Sequence, residues 1–324
     1  MVDTDNTIIT YAYAFFKCFL QNGAIMRYRE MKEGSIPAVE VSGVAHLDVR
    51  KTFDCGQCFR FDRVVDSRHG CEYAGVAFGR HVSFASEGDK LYVYNSDARD
   101  FENVWYPFLC LDMDYEAVNK DILEHSHGTV MVDAMEYGKG IRILRQDARE
   151  AVISFIISQN NNIPRIKKII EALSERCGTR IELSDDAMRH TSGVSSLCTF
   201  PTCESICSLG EDGLFELKTG FRAKYIYDAA QKIHSGVLLP EDLVASVTTA
   251  ECIDILCTVK GIGTKVASCA ALFGMGRYDA FPVDVWMKRV AQKYFPDDER
   301  FSGERFGKYA GIAQQYLFYY ERYR

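Results

Sequence analysis

The hydrophobic rhythm of the chain changes about a third of the way along. Between about Val39 and Asn95, apolar residues alternate with polar ones or cluster in short runs. The clearest runs are Tyr73 to Phe78, His81 to Ala85 and Lys90 to Tyr94. Turn-forming residues, Gly79-Arg80 and Glu87-Gly88-Asp89, separate them. Strand side chains alternate between two faces, so this pattern predicts an antiparallel sheet with hairpin connections. Beyond about residue 97 the apolar spacing moves toward the helical period of about 3.6 residues. Ala148 to Ile157, Ile163 to Cys177 and Ala223 to Ile233 follow it. From about Glu251 onward the pattern is helical, broken by segments bearing glycine and proline. No internal repeat or low-complexity linker interrupts this order. The predicted fold class is α+β: a small N-terminal antiparallel β-sheet domain followed by helical subdomains with a helix-hairpin-helix motif. The predicted divisions are an N-terminal extension of unknown role over 1–35, the sheet with flanking helices over 36–130, and the helical domain over 131–324.

Composition narrows the class. A chain of 324 residues, 47% apolar and 26% charged, has room for one large core or two to three packed subdomains and suits a soluble globular protein. The one membrane-like stretch, Ile8 to Leu20, is about 13 residues long, contains Lys17, and is too short to span a bilayer. It reads as an amphipathic helix or as an extension that the fold does not need, and no membrane partner is expected. The twelve cysteines are irregularly spaced and follow no signal peptide with a small-residue cleavage site, which points to reduced thiols. Cys55 to Cys58 and Cys203 to Cys207 lack a second pair at zinc-binding spacing, so no metal is expected. A net charge of −7 excludes binding to nucleic acid by bulk charge. Basic residues nevertheless gather locally: Arg165, Lys167 and Lys168; Arg222 and Lys224; Lys260 and Lys265; Lys288, Arg289 and Lys293. A few phosphate contacts from such patches suffice for a site-specific protein.

The most informative stretch is Ile255 to Ala271, ILCTVKGIGTKVASCAA. Apolar residues end at Val259, Gly261-Ile262-Gly263 follows, and a second helix begins near Thr264. Two glycines around one apolar residue allow a tight turn with positive φ between helices. The backbone N–H groups of the turn and the helix start make a phosphate site; a plain helical hairpin in a core is the alternative. Lys265 lies in the first turn of the second helix. A cation is disfavoured there, which favours the neutral, nucleophilic amine. The alternative is an exposed lysine on a phosphate.

Asp284 follows in Phe281-Pro282-Val283-Asp284-Val285-Trp286. A helix from Thr264 to Met275 would be roughly 18 Å long, and the connection Gly276 to Val283 reaches up to about 27 Å. The chain can therefore return Asp284 to the N-terminal end of the lysine helix. Asp284 also suits the N-cap of a helix from Val285 to Phe295, and the two roles are compatible.

Together, GIGTKVA and FPVDVW resemble the signature of the helix-hairpin-helix base-excision glycosylases, and the match is closest to the 8-oxoguanine DNA glycosylase branch. The resemblance extends over most of residues 40–324. SFIISQNNNIPRI (Ser154 to Ile166) is similar to that branch's asparagine-rich turn. Gly220 to Tyr225 is similar to its strand-separating wedge, and Asp54 to Arg60 to its glycine-glutamine turn. Tyr309-Ala310-Gly311 and Gln314 to Phe318 are similar to its base-reading helix. The family roles then fall as follows. Lys265 would attack the sugar carbon and Asp284 stabilise charge there. Gly56 would offer its carbonyl to the N7–H of the oxidised base, Gln314 would read the Watson–Crick edge, and Cys269 and Phe318 would sandwich the ring. Asn160, Arg165 and Arg222 would hold the orphaned cytosine, and Phe221 would wedge the stack. Gly261, Gly263 and Val266 would contact phosphate through the hairpin. The carbonyls of Cys257, Val259 and Ile262 fall where the family hairpin can hold a monovalent cation. Lys265 and Cys269, like Gln314 and Phe318, are i and i+4, so each pair shares a helix face.

Two positions depart from the family pattern: Phe221 stands where a tyrosine is common, and Trp286 where a histidine contacts a phosphate of the flipped nucleotide. The resemblance implies a bifunctional glycosylase that removes 8-oxoguanine from duplex DNA with Schiff-base β-elimination at the abasic site. It would work as a monomer without a cofactor, in a prokaryotic cytoplasm or a eukaryotic nucleus. Related branches fit less well. The iron–sulfur branch carries four cysteines beyond the aspartate, whereas the last cysteine here is Cys269. The alkylpurine branch usually lacks a lysine at the hairpin. A non-catalytic hairpin module would not need both Lys265 and Asp284.

Overall fold

The computed structural model describes residues 9–10, 17–21, 24–126, 129–244, 246–296, 298 and 301–324. Its eight strands are β1 (Ile9–Thr10), β2 (Lys17–Gln21), β3 (Ala24–Glu33), β4 (Ile36–Ser42), β5 (Phe61–Arg63), β6 (Cys71–Ala77), β7 (Arg80–Glu87) and β8 (Lys90–Tyr94). Every pairing is antiparallel. The order is β1-β3-β4-β8-β7-β6-β5, with β2 also paired to β3. Alternation along the strands divides the sheet. One face sends Val41, Val82, Phe84 and Val93 into an aromatic core with Phe53, Trp105 and Phe108. The other face buries polar groups beside a small apolar cluster of Ala38, Ala85 and Tyr94, and Glu72 there accepts from Ser83 and bonds His190 Nδ1 at 2.6 Å.

The expected N-terminal boundary is too late. Residues 27–33 of β3 pair in register with residues 42–36 of β4, and Met26, Tyr28 and Met31 are core residues. The sheet therefore begins inside the segment read as an extension. The expected helix over Ile8 to Leu20 is also not formed where the chain is described, since Ile9–Thr10 and Lys17–Leu20 are paired to β3; residues 8 and 11–16 lie outside the described residues. A helix of this length is marginal alone, whereas a ready strand edge satisfies the same backbone groups. Among the described residues, no helix is long and apolar enough to cross a membrane.

Eight helices matter for the site: α1 (Val49–Asp54), α2 (Ala148–Ser158), α3 (Ile163–Cys177), α4 (Ala223–His234), α5 (Thr249–Cys257), α6 (Thr264–Met275), α7 (Val285–Tyr294) and α8 (Ala310–Tyr323). Helix α6 is the axis of the helical region, with every residue from Val266 to Met275 buried. Small residues let its neighbours approach. A Cβ on Gly274 would lie 2.5 Å from the Ala151 Cβ of α2, and one on Gly311 of α8 would lie 2.5 Å from Leu272. Those distances are far inside van der Waals contact, so glycine is required at both crossings.

Two buried polar side chains join sheet and helices. Gln57 donates from Nε2 to the carbonyls of Thr52 and Arg142, both at 2.8 Å, and accepts from Leu144 N at 2.8 Å. Arg142, 1% exposed, donates to the carbonyls of Ala45 (2.8 Å), His46 (3.0 Å) and Cys110 (2.6 Å) and stacks 4.5 Å from the Tyr115 ring. Its charge is met by carbonyl dipoles, and burial lowers its pKa. Arg142→Met removes these donors and leaves buried carbonyls without partners. Urea unfolding should show a loss of about 3 kcal/mol; unchanged stability would mean that Arg142 does not clamp this seam.

Candidate active site

A cavity of about 650 Å³ opens between the sheet's α1 turn and helices α2, α6, α7 and α8. Local sequence explains how each wall is held. Helix α6 starts at Gly263 with no side-chain cap, so its first N–H groups remain available. Of the two hairpin glycines, only Gly261 has positive φ (+78°), and a Cβ there would strike the Tyr225 ring of α4 at 2.5 Å. Gly263 is extended, and a Cβ there would meet nothing within 4 Å, so it provides bare, open backbone. The N–H groups of Gly261 and Gly263 make no hydrogen bond among the described residues, which suits phosphate. Val266 differs from expectation. Its N–H donates to Gly263 O at 3.0 Å, because it already closes the first turn of α6. The Val259 carbonyl accepts from Ile262 N at 3.0 Å within the same hairpin.

Lys265 and Cys269 lie one turn apart on α6, and both line the cavity. Burial raises the Cys269 thiol pKa, while the Lys265 charge and hydrogen bond pull it back. Asp284 lines the cavity from the returning loop. Its Oδ1 accepts from Trp286 N at 3.0 Å and Met287 N at 2.9 Å, capping α7. Oδ2 makes no hydrogen bond among the described residues. One oxygen fixes the carboxylate and the other is free to face the cavity chemistry.

The opposite side comes from α1 and α8. Gly56 has φ of +81°, and a Cβ there would meet Ile163 at 3.3 Å and Phe318 at 4.0 Å. Its carbonyl accepts no hydrogen bond among the described residues. Gln314 is 5% exposed, and its Oε1 is buried without a partner. Phe318 lies one turn farther along the same face and also lines the cavity. Gln315, next to Gln314 on α8, is buried and donates to Cys55 O at 3.0 Å. It ties the Gly56 turn to α8. Gln57 serves the same turn from below. Gln57 belongs to the glycine-glutamine turn that the sequence marks, whereas Gln315 has no signal of its own beyond its place beside Gln314.

At the rim, the three asparagines divide their work. Asn161 donates to Ile157 O at 3.1 Å and Asn162 caps α3 by accepting from Arg165 N at 3.0 Å. Asn160 is exposed in the left-handed region (φ +46°), a conformation asparagine tolerates better than most residues. Phe221, 49% exposed, stands beside the Arg222 guanidinium at 4.5 Å. Arg222 itself is 3% exposed and turned inward. It donates from Nε and Nη2 to Gln159 O, from Nη1 to Thr219 O (3.1 Å) and from Nη2 to Asn160 O (3.0 Å). Four of its five N–H groups are thus taken. Burial and the nearby Arg165 charge lower its pKa. Arg165 is exposed, with one long contact of 3.5 Å to Lys218 O.

Residues 41–152 match the family described as 8-oxoguanine DNA glycosylase, N-terminal domain. Residues 153–306 match the HhH-GPD superfamily of base-excision DNA repair proteins. A solved structure titled MBOgg1 in complex with a low-affinity DNA ligand is 39% identical, with a TM-score of 0.80 over 91% of this chain and 98% of that one. The Clostridium acetobutylicum 8-oxoguanine glycosylase/lyase, solved with DNA containing cytosine opposite 8-oxoguanine, is 34% identical, with a TM-score of 0.80 over 91% and 97%. An N-glycosylase/DNA lyase of Arabidopsis thaliana is 31% identical over 198 residues, 56% of this chain and 52% of its own length. The chain spans about half the length of the curated relatives it matches. Both of its domains, and nearly the whole of a relative 39% identical to it, are accounted for in one family: the chain belongs to the 8-oxoguanine DNA glycosylase family of the HhH-GPD superfamily.

Proposed function

We propose that the protein excises 8-oxoguanine from duplex DNA and then cleaves the strand at the abasic sugar, acting as a monomer wherever the cell keeps its genome. One observation carries this reading: a single chain brings Lys265, Asp284, the Gly56 carbonyl and the unpartnered Gln314 Oε1 to one cavity from four separate segments. A nucleobase stacked in a duplex cannot be reached at its sugar, so the nucleotide must turn out into this cavity. Phe221 and Asn160, exposed at the rim, fill the gap left behind.

The chemistry follows from the groups present. As the C1′–N9 bond breaks, its electron pair leaves with the base and positive charge develops on the sugar. The Asp284 carboxylate opposes that charge. The Lys265 nitrogen bonds to C1′ through its lone pair, one of its protons passes to the ring oxygen, and the sugar opens to a protonated Schiff base. That cation acidifies the C2′ hydrogen. Its loss expels the 3′ phosphate by β-elimination, and water later frees Lys265. No electron acceptor is required. Selectivity rests on the Gly56 carbonyl, which accepts from the N7–H of 8-oxoguanine but meets a lone pair on N7 of guanine. Buried polar groups left unpaired reject an analogue strongly.

Single-turnover excision on a panel of duplexes tests the reading. Release of 8-oxoguanine should exceed that of guanine by roughly a hundredfold or more. Lys265→Gln should slow release roughly a thousandfold or more while duplex binding stays within about tenfold. A preference for alkylated adenine, or full activity in Lys265→Gln, would overturn it. The opposite base provides a second test. Cytosine presents the acceptors N3 and O2, which a guanidinium fork matches. Arg165 has nearly all its donors free and Arg222 only one, so Arg165 should carry most of the choice. Arg165→Ala should cut the preference for cytosine over adenine roughly tenfold; equal slowing opposite all four bases would instead make Arg165 a phosphate contact.

A further inference from the structure

Helix α8 carries Gln314, Phe318 and Arg322 at intervals of four, so all three share one face, and all three line the cavity. The first two are accounted for above; Arg322 is not. Its guanidinium lies 5.8 Å from the Trp286 ring centroid, 5.5 Å from that of Phe318 and 5.3 Å from that of Tyr323. Aromatic faces therefore hold it in place. It makes no hydrogen bond or ion pair among the described residues. Its neighbours differ: Lys293 pairs with Glu321 at 3.0 Å and Arg324 bonds the Tyr320 hydroxyl. Arg322 is thus a half-buried cation with five unused N–H groups, on a cavity whose lining also includes Lys265 and Lys288. A guanidinium held among aromatic rings, with no hydrogen-bond partner, keeps its donors free for a bidentate acceptor.

We propose that Arg322, held against Trp286 and Phe318, binds a DNA backbone phosphate flanking the everted nucleotide. This rests on the glycosylase reading above. A single indole N–H at Trp286 makes a poor phosphate ligand, but its ring draws cations, with Arg289 at 4.6 Å and Arg322 at 5.8 Å from the centroid. Arg322, on the cavity side of that ring, would then supply the charge that a side chain at position 286 does not.

The test measures binding of the full chain to a duplex carrying a stable abasic-site analogue, with the 5′ or the 3′ flanking phosphate replaced in turn by a neutral methylphosphonate. One replacement should weaken binding by the parent roughly tenfold, and Arg322→Ala should weaken binding to the unmodified duplex by a similar factor. Combined, the two changes should cost no more than either alone. Arg322→Ala should also lower the slope of log affinity against log salt by about 0.9, and Arg322→Lys should keep the slope. Additive losses with both methylphosphonates, or an unchanged slope in Arg322→Ala, would overturn the proposal and leave Arg322 as packing for Phe318. The methylphosphonate arm on the parent needs no variant to fold. Excision of 8-oxoguanine by the parent, measured in parallel, separates failure of this contact from failure of the glycosylase reading.

Discussion

The site depends on the burial of helix α6. Ten consecutive residues, Val266 to Met275, are removed from solvent, and Gly274 and Gly311 allow α2 and α8 to press against the helix at distances no Cβ would permit. A helix packed on all sides has one position and one rotation. Its N-terminus is then fixed by the Gly261 turn against Tyr225 and ends without a side-chain cap. Lys265 is placed by that geometry at the edge of a buried core, on the cavity side, with Cys269 one turn deeper. At the other end, Gly276 closes the helix in the left-handed conformation and sends the chain back toward Asp284. The reach estimated from helix and loop lengths is thus used by the fold.

Around this axis, hydrogen-bonding capacity is unevenly satisfied, and the unevenness has a function in the proposed reaction. Polar groups that set position have partners: Gln57, Gln315, Arg142, Asn162 and Asp284 Oδ1 all bond backbone. Three acceptors at the cavity lack partners among the described residues: the Gly56 carbonyl, Gln314 Oε1 and Asp284 Oδ2. Gln314 Oε1 is buried, and a buried acceptor without a donor is costly. There it amounts to recognition prepared before the substrate arrives, since a base with a donor at the matching atom removes the cost. Cation and acceptor are distributed in the same way at the rim, where Arg222 is committed to the loop that carries Asn160 and Arg165 is not.

Much of this is legible in the sequence because it depends on local spacing. The period-2 and period-3.6 patterns yield the α+β order, and the i, i+4 pairs Lys265/Cys269 and Gln314/Phe318 do share faces and line one cavity. What is not legible depends on partners distant in sequence. Strand β3 escapes a pattern reading because its residues 24–33 alternate poorly, and pairing with β4 and with β1 and β2 makes them a strand. Gln315 looks like surface because nothing local reveals that Cys55 O lies beside it. The inward turn of Arg222 needs the carbonyls of Gln159 and Asn160, about 60 residues away in the chain. An outward N–H is the natural expectation for Val266, but the tightness of the first turn of α6 uses that group internally. Position 286 reads as a departure, and of the two arginines over its ring only Arg289 is local, whereas Arg322 comes from a different helix.

The central claim is that burial of α6 presents one particular amine to the sugar. Lys260 lies just before the helix in the same hairpin, and Lys288 lines the same cavity, so the choice among them is a real one. Borohydride reduction during turnover of an 8-oxoguanine duplex, followed by proteolysis and mass spectrometry of the DNA-linked peptide, identifies the attached residue. Attachment at Lys265 alone is expected. Attachment at Lys260 or Lys288, or no reducible adduct while the base is still released, would contradict it.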